Sequence, residues 1–254
     1  MRILRNLLLV LIVLLVIGGV VLATLPAEYA YRLVAERLGV VRLSGLSGTI
    51  WQGHAAGVTA FNQPLGALDW QLEAAPLLGR EVLAHLRLSG GEVNADGSVD
   101  RDADGTIMLR QAKFDFPASL AEPALDIPSL HFLGRIDGTL AQARVKGLWV
   151  DQASGTLRWK DATVSGEAQA NVGDLQATFS SAPDGSIAGV AHDSGGPMQL
   201  NGTFTVRAGS FDADAILAAR EGNPQVAEAL HFIGQPQADG SSHLIVHGQL
   251  FKLF

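Results

Sequence analysis

The chain contains no cysteine, and this absence excludes several kinds of site. Without thiols it can form no disulfide, hold no zinc or iron–sulfur cluster through sulfur, and use no thiol nucleophile. The sequence also lacks a phosphate-binding loop, a G-x-G-x-x-G turn, a G-x-S-x-G elbow and an H-E-x-x-H helix. We therefore expect no enzyme activity and no cofactor.

Charged residues are scarce as well. Only 17% of the 254 residues are charged, and the formal net charge is −7. Nucleic-acid binding depends on clustered Lys and Arg, so this acidic balance argues against a nucleic-acid partner. Hydrophobic residues make up 48% of the chain, which is enough buried surface to offset the ordering entropy of folding. The chain is therefore predicted to fold.

The longest hydrophobic run lies near the N-terminus. Residues 6–27 carry no charge, and as a helix they would span roughly 33 Å, enough to cross a bilayer core of about 30 Å. Arg2 and Arg5 precede the run, so the positive-inside rule leaves residues 1–5 in the cytoplasm and exports the rest. A signal peptide cleaved near Ala23 is the alternative. Both interpretations place the body of the protein outside the cytoplasm.

A short connecting helix is predicted over residues 28–39. Pro26 suits the start of a helix, and Gly39 is a natural stop. The apolar side of this helix is formed by Tyr29, Leu33 and Val34.

The remainder, residues 40–254, alternates apolar and polar residues with a period of two. In one segment Val82, Ala84, Leu86 and Leu88 alternate with His85, Arg87 and Ser89. Such alternation is typical of antiparallel strands with one buried and one solvated face. Turns are predicted at Asp96-Gly97, Asp104-Gly105, Asp137-Gly138, Pro183-Asp184-Gly185, Gly195-Gly196-Pro197 and Asp239-Gly240.

Two further patterns complete the fold prediction. Gly-Thr pairs followed by an apolar residue are expected to open strands, and they begin at Gly48, Gly105, Gly138, Gly155 and Gly202. Asn223 and Pro224 begin a predicted helix that extends to Ile233, and a last strand is predicted over residues 241–250. The predicted fold class is mainly β: a single N-terminal transmembrane helix followed by an elongated antiparallel β-sheet domain with a short C-terminal helix.

One motif could bind a metal ion. Asp100, Asp102 and Asp104, followed by Gly105, match the D-x-D-x-D-G opening of a calcium loop. Gln111 stands where the closing glutamate would be, so an acidic hairpin connection is the competing interpretation. His243 and His247 have the spacing of helical ligands, but their segment alternates as a strand, and no metal site is predicted there.

Three blocks of sequence follow the apolar run in a fixed order. They are Gly48-Thr49-Ile50-Trp51-Gln52-Gly53, then Trp70-Gln71-Leu72, then Leu77-Leu78-Gly79-Arg80. In order and spacing they resemble the G-T-[VI]-W-x-G, W-x-L and L-L-x-G-R/K blocks of the type II secretion system protein N family. The signature positions are Gly48, Thr49, Trp51, Gly53, Trp70, Leu77, Leu78 and Gly79. For the tryptophans and glycines among them we expect roles in packing and backbone geometry rather than in chemistry.

The resemblance implies a single-pass inner-membrane component of a type II secretion system, with its β-rich domain in the periplasm. Members of the family are not catalytic, and they support the apparatus that exports folded exoproteins across the outer membrane. The implied partners are the membrane and other secretion components, namely the inner-membrane platform proteins, with the outer-membrane secretin as a further candidate. No nucleic acid and no small-molecule substrate is expected.

A weaker resemblance, to envelope proteins of the AsmA type, supports a different function. There a long sheet curls its apolar face into a groove that carries lipid acyl chains. The two interpretations differ in whether the apolar face of the sheet closes into a packed core or lines an open groove.

Overall fold

The protein is described from a computed structural model. The structure describes residues 23–60, 63–75, 81–122, 131–147, 149–166, 169–220 and 223–248. Most of the predicted anchor, residues 6–27, lies outside these ranges. Within them, no helix has both the length and the hydrophobicity needed to cross a bilayer.

Fourteen strands form one antiparallel sheet in the described part of the chain. From β1 to β12 each strand pairs with its neighbours in sequence, and the order then ends β12-β14-β13. The strands are β1 (Val41–Gly48), β2 (Gln52–Ala60), β3 (Gln63–Leu72), β4 (Val82–Ser89), β5 (Asn94–Arg101), β6 (Ile107–Pro117), β7 (His131–Lys146), β8 (Trp149–Ser165), β9 (Gln169–Ser181), β10 (Ile187–Asp193), β11 (Met198–Arg207), β12 (Ser210–Ala219), β13 (Gln235–Pro236) and β14 (Ser242–Gly248).

Short helices lie before β1, after β6 and after β12. Helix α1 (Ala27–Val34) and a 3₁₀ helix (Ala35–Leu38) precede β1, and a second 3₁₀ helix (Ala118–Ala121) follows β6. Helix α2 (Pro224–Leu230) lies between β12 and β13. The predicted antiparallel sheet with a short helix near the C-terminus is therefore confirmed.

Helix α2 begins as predicted but ends three residues early. The Asn223 side chain caps it by accepting the Val226 N–H at 3.1 Å. After Leu230 the backbone tightens, because the N–H groups of Phe232 and Ile233 donate to carbonyls three residues back rather than four. The last strand ends at Gly248 within the described chain.

The buried core is small for a domain of this length. The buried hydrophobic residues are mostly alanines, and the largest fully buried hydrophobic side chain is Val226. The larger cluster lies beneath α2 and contains Ala162, Ala170, Val172, Met198, Leu217, Val226, Ala229 and Leu230. The smaller cluster contains Ala143, Ala153 and Ile187. Burial is thus concentrated where the helix covers the sheet.

Two of the six predicted turns are wrong. Asp96-Gly97 lies inside β5, and Asp137-Gly138 lies inside β7. In both cases the aspartate has a cationic partner on the neighbouring strand: Arg87 for Asp96 and Lys160 for Asp137, each at 2.8 Å. Cross-strand pairing therefore outweighs the local turn preference of Asp-Gly.

The predicted role of the Gly-Thr pairs is also wrong at four positions. Gly48 is the last residue of β1, and Gly138, Gly155 and Gly202 lie in strand interiors rather than at strand starts. A Cβ atom on Gly138 would lie 2.6 Å from the ring of Phe114, so these glycines make room for neighbouring strands.

Candidate functional site: the two faces of the sheet and a cavity beneath α2

One face of the sheet carries a continuous row of mainly polar side chains, here called the polar row. It crosses from β2 to β12 through directly opposed residues. They are His54, Asp69, Arg87, Asp96, Lys113, Thr139, Thr156, Thr178, Val190, Thr203 and Asp214. Basic and acidic groups alternate at the start of the row, and hydroxyl groups follow. Directly opposed side chains are close enough to interact, so the row stabilises the strand register.

Hydrogen bonds between basic and acidic side chains join the first strands of this face. His54 Nδ1 lies 2.8 Å from Asp69 Oδ1, and Arg87 Nε lies 2.8 Å from Asp96 Oδ2. The hydrogen bond from Arg87 lowers the pKa of Asp96, and this effect exceeds the opposing effect of burial. These groups are exposed, so they contribute little to the free energy of unfolding and mainly keep the face solvated.

The opposite face, here called the apolar face, carries rows of apolar residues and glycine. The central row is Gly53, Trp70, Leu86, Gly97, Ala112, Leu140, Gly155, Phe179, Gly189, Phe204, Ala213 and Val246. The row beside it is Ala55, Leu68, Leu88, Ala95, Phe114, Gly138, Leu157, Ala177, Ala191, Gly202, Ala215 and Leu244. Neither row contains a charged side chain.

Aromatic rings on the apolar face lie over glycines of neighbouring strands. The pairs are Trp70 with Gly53, Phe114 with Gly138, Phe179 with Gly155, Phe204 with Gly189, and Phe211 with Gly248. In each pair the space of a missing Cβ atom is taken by the ring. The ring in turn shields the glycine backbone from water, which stabilises a strand position that glycine alone would weaken.

Most of the apolar face is not covered by a second layer in the described part of the chain. Trp70, Leu140, Phe179 and Phe204 remain half-buried, although they lie in the middle of the sheet. Across 14 strands spaced about 4.8 Å apart the face extends for roughly 60 Å. An apolar surface of that length normally contacts a lipid or another protein.

A cavity of about 360 Å³ lies between α2 and the sheet. It is lined by Phe132, Trp159, Val164, Ala170, Val172, Leu175, Met198, Leu200, Leu217, Val226, Ala229, Leu230, Phe232, Ile233, Gly234, Leu244 and Val246. None of these lining side chains is charged or carries a hydroxyl, amide or carboxyl group. Phe232 lines the cavity and is also 59% exposed, so the cavity reaches the protein surface beside this ring.

Five of the predicted signature residues meet at the β1–β2 hairpin and on β3. Gly48, with φ of 82°, pairs with Gly53 at the end of the hairpin. The Thr49 hydroxyl accepts the N–H groups of Trp51 and Gln52 at 3.3 and 3.2 Å. Trp70 Nε1 donates to the Ile50 carbonyl at 3.2 Å. The remaining signature residues, Leu77, Leu78 and Gly79, lie outside the described ranges.

The segment before β1 is fastened to the same hairpin. Pro26 forms a β-bridge with Thr49, and the Ile50 N–H donates to the Leu25 carbonyl at 3.0 Å. The Tyr31 hydroxyl accepts the Leu43 N–H at 3.1 Å, which satisfies a donor of the edge strand β1. The signature hairpin is thus the point where the N-terminal segment meets the sheet.

The three aspartates of the possible calcium loop do not converge on one point. Asp100 Oδ2 lies 3.3 Å from Arg110 Nη2, and Asp104 accepts the N–H and hydroxyl of Thr106. The two hydrogen bonds from Thr106 lower the pKa of Asp104. Among the described residues no group of three His, Cys, Asp or Glu side chains could hold a metal ion. The segment is a hairpin connection between β5 and β6.

The histidines of β14 pair with aspartates of β12 rather than with each other. His243 Nε2 lies 2.9 Å from Asp214 Oδ1, and His247 Nδ1 lies 2.6 Å from Asp212 Oδ1. They extend the cross-strand pairing of the polar face to the last strand.

The sequence profile of the family "Type II secretion system (T2SS), protein N" matches residues 40–244. The chain belongs to this family. The match begins next to β1 and ends within β14, so it covers nearly the whole sheet. The resemblance noted from the sequence blocks is therefore confirmed, and the protein is a component of a type II secretion system.

Two relatives carry the same family name. The chain is 29% identical over 160 residues to type II secretion system protein N of Vibrio cholerae serotype O1, and this alignment covers 61% of each chain. It is 24% identical over 238 residues to the protein of that name from Aeromonas hydrophila, covering 91% of this chain and 94% of the relative. No solved structure matches the chain.

The cavity is not predicted by the sequence patterns, although each of its walls is. The stripe of Val226, Ala229 and Leu230 indicates that α2 covers an apolar surface. The alternation in β9 and β12 indicates which of their residues share that surface. The pairing of β14 with β12 adds Leu244 and Val246 to the lining, and a pairing over this distance has no local sequence signal.

Proposed function

We propose that this chain is an inner-membrane-anchored periplasmic scaffold of the type II secretion system. In this proposal residues 1–5 lie in the cytoplasm, 6–27 form the anchor, 28–39 form the connecting helix and 40–254 form the periplasmic domain. Family membership carries the proposal. The proposed partners are the inner-membrane platform proteins, with the secretin as a further candidate.

The exposed side of α1 supports a position at the membrane surface. Tyr29 and Leu33 are 63% and 79% exposed, so this side of the helix does not pack on the sheet. Arg32 lies over the Tyr29 ring, with its guanidinium carbon 5.8 Å from the ring centre. Tyrosine, leucine and arginine are suited to the boundary between headgroups and hydrocarbon.

The contacts of the collar, residues 25–31, support a scaffold that holds its sheet at a fixed distance from the anchor. Pro26 and Tyr31 are hydrogen-bonded or bridged to the signature hairpin, so little slack separates the anchor from β1. Tethering raises the local concentration of the sheet for neighbouring membrane proteins.

The role of the tether is tested by releasing the protein. A form with residues 1–24 replaced by a cleavable signal peptide keeps the collar. It is expected to fold but to support exoprotein secretion poorly at native expression in a deletion strain. Overproduction is expected to restore part of the secretion by mass action. The matched control keeps residues 25–254, carries an unrelated apolar anchor of equal length and is expected to support secretion. Full secretion by the soluble form at native levels would contradict the scaffold proposal.

The proposed topology is tested separately. A reporter that is active only in the periplasm is expected to work when it is fused after Phe254. Activity of a cytoplasm-only reporter at the same position would reverse the proposed orientation.

A lipid carrier of the AsmA type is the second candidate, and one observation favours it. The apolar face remains largely half-buried across the sheet, as a groove for acyl chains would be. A diffusible carrier predicts that the released form secretes normally, so the same experiment separates the two functions.

A further inference from the structure

We propose that the cavity beneath α2 binds one unbranched alkyl chain. The site lies within the described chain and belongs to neither the signature hairpin nor the collar. It requires neither the scaffold nor the carrier function, because a structural lipid and a transported lipid would occupy it in the same way.

The lining determines the chemical class of the ligand. All the walls are aliphatic, aromatic, thioether or glycine. The one N–H group among the lining side chains, Trp159 Nε1, donates to the Leu133 carbonyl at 2.9 Å. Water needs two to four polar partners to be held in a cavity, so water is a poor occupant. A hydrocarbon gives up no hydrogen bond by entering such a site, and it gains the burial of its surface.

The volume favours a chain over a smaller ligand. An apolar cavity of about 150 Å³ is known to hold one benzene molecule, which has six carbon atoms. At that ratio the 360 Å³ of this cavity accommodates about 14 carbon atoms. An acyl chain of a membrane lipid has this size and shape.

The surroundings of the cavity allow a headgroup to stay in water. Phe232 marks the opening, since it both lines the cavity and is exposed. Within the sheet, Leu244 and Val246 belong at once to the cavity lining and to the rows of the apolar face. If the alkyl chain is longer than the cavity, its remaining carbon atoms can continue along the apolar face. The polar end of the ligand then lies outside the opening.

The test labels the full chain in cells that are fed a photoreactive palmitate bearing an alkyne. After illumination the protein is purified under denaturing conditions, the label is detected by alkyne coupling, and the labelled peptides are mapped by mass spectrometry. We expect label on residues of β9, β12, α2 or β14. Phospholipase treatment before denaturation distinguishes a phospholipid chain from a free fatty acid, and either source supports the proposal.

Two variants fill the cavity from opposite walls. Ala170→Phe does so from the sheet and Ala229→Phe from the helix, and both residues are buried lining residues. We expect each to lower labelling of this region at least fivefold. Val190→Phe, on the exposed opposite face at 49% exposure, is the matched control and is expected to keep the label.

The melting temperature of each variant shows whether it folds. If one of the two cavity-filling variants fails to fold, the labelling of the other one tests the proposal. Unchanged labelling in a filled variant that keeps its melting temperature would overturn the proposal. So would label confined to residues 6–27, which would report only contact with the bilayer. Since the measurement is labelling rather than secretion, its failure is separate from failure of the scaffold proposal.

Discussion

The tetrapeptide Ala-Asp-Gly-Ser occurs twice in this chain and adopts two different structures. Residues 95–98 lie within strand β5, whereas residues 238–241 form the turn between β13 and β14. In the strand the carboxylate of Asp96 pairs with Arg87 across the polar face. In the turn the carboxylate of Asp239 accepts the N–H and hydroxyl of Ser241 at 3.0 and 2.6 Å. The same four residues thus lie in a strand where they pair with β4 and β6, and in a turn where they join β13 to β14.

The glycine of each copy is needed for a different reason. Gly240 has φ of 85°, and a Cβ atom there would have nothing within 4 Å. A Cβ atom on Gly97 would lie 2.8 Å from Ala112 Cβ and 2.9 Å from Ala112 Cα. One position requires backbone freedom and the other requires space.

The largest expected effect comes from adding a methyl group to the copy of the tetrapeptide that lies in β5, residues 95–98. Gly97→Ala is expected to lower the free energy of unfolding by about 1–3 kcal/mol, because β5 must move away from Ala112. This corresponds to a melting temperature lower by roughly 2–10 °C, measured by circular dichroism. The double variant with Ala112→Gly is expected to recover only part of the loss, because the contact with the Cα atom of residue 112 at 2.9 Å remains. No recovery in that variant would show that the clash with the Ala112 Cβ atom is not a cause.

A smaller effect is expected at the turn copy. Gly240→Ala is expected to reduce the free energy of unfolding by about 1 kcal/mol through the strain of the left-handed backbone. Gly240→Asn is expected to cost less than Gly240→Ala, since asparagine tolerates this conformation. At the strand position Gly97→Asn is expected to be at least as damaging as Gly97→Ala. If Ala and Asn had the same order of destabilisation at positions 97 and 240, the two glycines would not differ in the reason they are needed.

The two aspartates are expected to respond to different substitutions. Hydrogen bonds lower the pKa of Asp96, mainly from Arg87, and the pKa of Asp239, mainly from Ser241. A lowered pKa stabilises the fold above the unfolded-state pKa of about 3.9, and this stabilisation is lost as the pH falls through the folded-state pKa. Arg87→Gln is expected to raise the pKa of Asp96 alone, and Ser241→Ala that of Asp239 alone. NMR titration of the carboxyl groups measures both pKa values. A change in the pKa of Asp239 in Arg87→Gln, or of Asp96 in Ser241→Ala, would contradict this prediction.

The smallest expected effect is the salt dependence of the same two pKa values. The partner of Asp96 is a cation, so 1 M salt is expected to raise the pKa of Asp96 towards its ordinary value. The partners of Asp239 are neutral groups of Ser241, and its pKa is expected to change less. A larger salt response at Asp239 would contradict this assignment of causes.

The two copies also show what the sequence could and could not predict. Alternation is a local pattern, so the strands and the faces of segments such as residues 82–89 follow from it directly. The turn at Asp239-Gly240 follows from local chemistry. The strand at Asp96-Gly97 does not, because the pairing of β5 with β4 and β6 decides it. The signature hairpin could be located by its motif, but its contact with Tyr31 could not. The part of the cavity lined by Leu244 and Val246 depends on the pairing of β14 with β12. That pairing joins segments separated by α2 and β13, so no local pattern predicts it.

The order of the strands has a consequence for the timing of folding. From β1 to β12 every strand pairs with the strand that precedes it in the chain, so a growing polypeptide can add one hairpin at a time. The far side of β12 is different, because its partner β14 comes only after α2 and β13. Until residues 223–248 have left the ribosome, β12 is an unpaired edge, and the walls of the cavity that α2 and β14 form do not exist. The cavity is therefore the last part of the described molecule to be completed.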